Sequence, residues 1–149
     1  MKNDNIDTEG VFHTMMIIWV SLALSQLTFP VIVFASKPEL LRIDLTPPIF
    51  GDYAIEICFL GFVSLVSLVS SFTLRKRFNN QAVATQNVGL AQTAMIFGCA
   101  FCELVSLFGM FVAFVFDFRF FFVFSALGIV GTLLHFPRRD DLHAASYKQ

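Results

Sequence analysis

The sequence predicts an all-α fold: an integral membrane four-helix bundle with N and C termini cytoplasmic. Three observations point there. The chain is 56% hydrophobic and only 14% charged, whereas soluble domains carry about a quarter charged residues. Its apolar residues fall into four runs, 11–35, 51–74, 91–116 and 118–136, each near or above the roughly 20 residues that a helix needs to cross a bilayer. The basic residues gather in one connecting segment, which sets an orientation. Residues 1–149 read as a single membrane domain without internal repeats.

Taken in order, residues 1–10 are polar and acidic, with Asp4, Asp7 and Glu9 against Lys2, and are expected to form a short mobile tail. Residues 11–35 are long enough to exceed a hydrocarbon core of about 30 Å. A secretory signal is disfavoured, because the preceding segment is acidic and the apolar run is longer than the 7–15 residues of such signals. Pro30 should bend the last turns of this helix, and Gln26, four residues before it, is an amide available to a neighbouring helix. Residues 36–50 hold three prolines and four charges, so they cannot continue a membrane helix and form a surface loop.

The second span, 51–74, carries Glu56 near its start, where the carboxylate can reach the interface. Gly61, Ser64, Ser67 and Ser71 line one side of it, and Gly98, Cys102, Ser106, Gly109 and Ala113 line one side of the third. Small residues allow helices to approach closely, so these stripes predict a tight hairpin of the second and third spans. Arg75-Lys76-Arg77 opens a polar loop that runs through Asn87. By the positive-inside rule this loop is cytoplasmic, which leaves seven Lys and Arg inside and three (Lys37, Arg42, Arg119) outside. Asp117-Phe118-Arg119 marks a short outer turn. The fourth span closes at Pro137-Arg138-Arg139, with His135 expected at the interface and Asp140 to Gln149 as a mobile tail.

Several function classes are excluded on composition. A net charge of -1 with short basic clusters argues against nucleic-acid binding. Cys58, Cys99 and Cys102 lie inside apolar runs, where they serve packing rather than a disulfide framework. The Cys99-x-x-Cys102 spacing lacks the second, accessible pair that membrane thiol chemistry needs. With no nucleotide loop, Ser/His/Asp set or metal-spaced cluster, the chain is not expected to be an enzyme or to hold a cofactor or metal.

The residue that stands out is Glu103, near the middle of the third span. An acid there costs about 2.5 to 3.5 kcal/mol on insertion scales, so it is a candidate functional site. It shares a face with Gln92, Cys99 and Met110, bordering the small-residue seam. Gln26 or Ser25 on the first helix is its expected hydrogen-bond partner, and Glu103, Gln26 and Ser25 make up the candidate proton-binding site. The competing reading is a Glu103 that stays protonated and serves only helix packing.

Gln92-Thr93-Ala94-Met95-Ile96, followed by Glu103-Leu104-Val105-Ser106-Leu107-Phe108-Gly109, resembles the carboxylate-bearing helix of rotary ATP synthase subunit c, the proteolipid. The likeness covers about 25 residues. It implies that Glu103 is the ion-carrying position. Because Leu104 stands where sodium-binding members tend to carry a hydroxyl, it also implies protons rather than sodium. That family is a two-helix hairpin, so the two further spans lie outside the likeness. The whole chain also resembles small four-helix bacterial membrane proteins that carry this c-like helix and end in a His-x-Pro-Arg segment, a likeness that implies no activity.

These readings converge on a small, proteolipid-like, multi-pass protein of the bacterial inner membrane with a proton-binding Glu103. Its expected partners are the lipid bilayer and either further copies of itself or the other subunits of a membrane complex. The alternative is a non-catalytic scaffold or assembly subunit in which Glu103 specifies helix pairing. A transporter would need a polar cavity, for which only scattered serines, Gln26 and Glu56 are available.

Overall fold

The computed structural model describes residues 8–41 and 51–146. Residues 1–7, most of the expected surface loop (42–50, with Arg42) and the last three residues lie outside the described residues. The described chain is all-α. It comprises α1 (Thr8–Ser36), α2 (Ala54–Thr85), α3 (Val88–Phe116), α4 (Phe121–Leu134) and α5 (Arg139–Ser146), with short 3₁₀ turns at Pro38–Leu41 and Gly51–Tyr53. Three of these helices are long and apolar enough to cross a membrane, or up to four if α4 and α5, bent by 46° from one another, count as one span. The architecture is that of a small multi-pass membrane protein. Large apolar side chains such as Ile55, Phe59, Phe62 and Val69 on α2 face outward, as lipid contact requires.

The first helix runs unbroken through Pro30. Thr8 to Gly10 belong to it rather than to a tail, and Glu9 pairs with Arg139 at 3.1 Å. At its end Lys37 donates to the carbonyls of Ala113 (3.3 Å) and Phe114 (3.1 Å) and pairs with Asp117. Those carbonyls are orphans of the last turn of α3, so a cation there satisfies them and complements the helix dipole.

The expected polar loop at 75–87 is almost entirely helical. At 32 residues, α2 spans about 48 Å, well beyond a hydrocarbon core of about 30 Å. Its last three turns therefore project past the apolar run. Only Gln86 and Asn87 connect it to α3. Gln86 takes a left-handed conformation (φ 50°), and the Asn87 side chain caps α3 by accepting from the Gly89 N–H at 3.0 Å. Arg, Lys, Asn, Gln and Ala are sound helix formers or tolerated ones, and neither Gly nor Pro interrupts 75–85.

The fourth helix is shorter than the expected span. Its 14 residues cover about 21 Å, and the chain breaks at His135–Arg138, where Pro137 cannot continue the helical ladder. The expected mobile tail instead forms α5, which buries Leu142 and Ala145 against Met15, Ala82 and Val88. The two apolar residues, three apart, make one side of a helix whose other side is charged.

Two apolar cores result. One, at the end bearing Arg75 and Arg138, gathers Met15, Ala82, Ala91, Met95, Cys99 and Leu142. The other, at the Lys37 end, gathers Val33, Ile57, Val112, Ala113, Phe121 and Phe124. Between them lies a layer of buried polar side chains: Gln26, Ser64, Ser67, Ser71, Ser106, Ser125 and Thr132.

Apart from the half-buried Gly61, the small-residue stripes are buried, but they do not build a seam of α2 and α3 alone. A Cβ on Gly109 would meet the Phe121 carbonyl at 2.9 Å, and one on Gly128 would meet Ser106 Oγ at 2.1 Å and the Cys102 carbonyl at 2.6 Å. The α3 stripe thus serves α4 as well as α2. The expected hairpin does form, since α2 and α3 make the most extensive helix contact among the described residues, and Cys102 joins the two stripes, its thiol facing Ser71 Oγ at 3.7 Å.

Candidate functional site

Glu103 sits near the middle of α3, half-buried, and turns toward α1. The Ser25 hydroxyl lies 2.8 Å from Glu103 Oε1 and 2.9 Å from the Leu22 carbonyl. The second contact is the back-bond that serine hydroxyls make to the preceding helical turn. Ser25 is therefore joined both to its own helix and to the carboxyl of another.

Gln26 behaves differently from Ser25. Fully buried, it turns to α4, where its Nε2 donates to Thr132 Oγ1 at 2.6 Å, while its Oε1 accepts from Ser106 at 3.4 Å. The expected Gln26–Glu103 bond does not form among the described residues. The reason is angular: adjacent residues on a helix point 100° apart, so Ser25 addresses Glu103 while Gln26 addresses Thr132 of α4 and Ser106 of α3. Thr132 also accepts, through its carbonyl, from Trp19 Nε1 at 2.9 Å. Trp19 and Gln26, two turns apart on one side of α1, thus converge on one α4 residue.

The sequence does not single out Thr132, nor does it reveal the buried state of His135. The signal for Thr132 is faint: one hydroxyl residue beside Gly131 in an apolar run. His135 is completely buried within the bundle, with Nδ1 2.7 Å from the Gly131 carbonyl, its ring 4.5 Å from that of Phe72, and Nε2 unpartnered among the described residues. Since a carbonyl only accepts, Nδ1 carries the proton. Cys102 Sγ lies 3.9 Å from the same nitrogen.

The remaining candidate residues disperse. Glu56 is exposed at the start of α2 and Cys58 is exposed beside it, while Cys99 lies in the apolar core near Met95. Among the described residues no group of His, Cys, Asp and Glu could hold a metal ion. What the arrangement offers chemically is one carboxyl in the middle of the apolar bundle, held by one hydroxyl, beside a polar layer whose amide is satisfied elsewhere. Comparison with known proteins finds no matching family model, no matching curated protein and no matching solved structure.

Proposed function

We propose that the protein is a small proteolipid-like membrane protein in which Glu103 reversibly binds a proton, with Ser25 as its partner. The observation that carries this reading is the double contact of the Ser25 hydroxyl, 2.8 Å from Glu103 Oε1 and 2.9 Å from the Leu22 carbonyl. A hydroxyl has one proton and two lone pairs. When Glu103 is ionised, Ser25 donates to it. When Glu103 is protonated, its O–H donates to Ser25 Oγ, and the serine proton turns to Leu22. Both protonation states are satisfied by the same heavy-atom positions, so loading and unloading need no rearrangement of the helices.

The likeness of the α3 segment to the subunit c helix supports the same role for Glu103, with a proton rather than sodium as the ion. The clustering of Arg75, Lys76, Arg77, Arg138 and Arg139 toward one end supports a cytoplasmic placement of that end in a bacterial inner membrane. Association with further copies or with other subunits of a membrane complex belongs to the same reading. Gln26, bonded to Thr132, contributes to the position of α1 rather than to the carboxyl.

One observation favours the scaffold reading: Ser25 and Gln26, side by side, fasten α1 to α3 and to α4. Carbodiimide labelling separates the two, because the reagent modifies protonated membrane carboxyls. For a proton binder, labelling at Glu103 falls as pH rises, and Glu103→Gln assembles normally but loses the cellular phenotype. A Glu103→Gln protein with unchanged assembly and phenotype would leave the scaffold reading standing.

A further inference from the structure

Phe72, Arg75, Lys76, Asn79 and Asn80 follow one another along one side of α2 at helical spacing. Opposite them stand Leu134, Arg138 and Asp141, from the end of α4, the bend after it and α5. Together they enclose a cleft of about 440 Å³. We propose that this cleft binds a phospholipid with an anionic headgroup.

Three properties point to that occupant. The cleft carries three cations against one carboxylate. That carboxylate is already engaged, since Asp141 receives Arg75 at 3.5 Å and Asn79 at 3.1 Å. Arg75 is fixed further by its bond to the Phe136 carbonyl at 3.0 Å, so the wall is held in shape, while Lys76 and Arg138 are exposed and make no ion pair among the described residues. Guanidinium and ammonium groups flanked by asparagine amides are donors suited to phosphate oxygens.

The second property is amphipathic order. Phe72 lies one turn nearer the apolar run than Arg75, and Leu134 likewise precedes Arg138, so the apolar floor adjoins the membrane-facing part of the bundle and the cationic rim lies beyond it. A free phosphate would use the rim alone. A lipid uses both, its chain beside Phe72 and Leu134 and its phosphate at the rim. The third property is place. Basic pockets between helices at the interface are where anionic headgroups are held, and α2 continues past this level, forming a wall that a helix ending at the interface would not provide.

The test is native mass spectrometry of the full-length protein in mild detergent, titrated with dioleoyl phosphatidylglycerol or dioleoyl phosphatidylcholine. Bound phosphatidylglycerol should exceed bound phosphatidylcholine by about five-fold or more, and Lys76→Gln and Arg138→Gln should each weaken it by about five-fold. Arg77→Gln, on the same helix but outside the cleft, should leave it unchanged. Equal retention of the two lipids, or an equal loss in Arg77→Gln, would overturn the site. Displacement of phosphatidylglycerol by millimolar glycerol 3-phosphate would overturn the lipid assignment in favour of a soluble phosphate. The lipid comparison uses the unaltered protein, so it stands apart from any effect of the variants on folding.

Discussion

Gly98 and His135 share one space: a Cβ built on Gly98 would fall 2.1 Å from His135 Cδ2 and 2.6 Å from Nε2. The imidazole, buried after the last turn of α4, lies where α3 has no side chain. This contact fixes the height of the end of α4 against α3, and with it the position of Thr132 beside Gln26.

Gly98→Ala should therefore destabilise the fold by about 1–3 kcal/mol, the usual cost of overpacking a closed site. Gly61→Ala is the control, because a Cβ there meets nothing nearer than Phe124 Cζ at 4.0 Å. Thermal unfolding in detergent should show a lowered midpoint for the first and little change for the second. Equal midpoints would show that His135 can move aside without loss.

Gln26 and Thr132 should be energetically coupled. Their bond is short, at 2.6 Å, and both side chains are buried, so a double-mutant cycle with Gln26→Leu and Thr132→Val should return about 0.6–2 kcal/mol. Ser25, one residue away, bonds Glu103 instead, so Ser25→Ala should combine additively with Thr132→Val. Coupling between Ser25 and Thr132 as large as that of Gln26 would refute the separation of the two contacts.

Leu142→Ala should release α5. Leu142 is fully buried against the core near Met15 and Ala82, and truncating such a leucine costs about 2–5 kcal/mol. Limited proteolysis should cut the variant faster between α4 and α5 while the long helices stay intact. Unchanged cleavage would mean that the ion pairs of Asp141 and Arg139 hold α5 without its apolar side.

Hydropathy summed over about 20 residues is a local property of the chain, and it is enough to reveal three long apolar helices and the placement of Glu103 near the middle of one. It also suffices to bring Ser25 to the carboxyl's level, because helical rise is constant. Composition does not separate a polar loop from a helix that outlasts its apolar run, so 75–85 read as a connection although their propensities favour a helix. The C-terminal segment reads as a tail for a similar reason: its two buried residues form an apolar side only once α1 and α2 stand beside it.

Rotation about the helix axes was decided by tertiary structure alone. A stripe of small residues announces that something packs closely, not which helices do so, and here α4 shares the α3 stripe with α2, through Gly128 and the turn that places His135 on Gly98. The same rotation parts two neighbouring residues, Ser25 to Glu103 and Gln26 to Thr132. Which of two adjacent side chains meets a buried acid depends on a turn of 100°, and that turn is set by contacts between residues far apart in the chain.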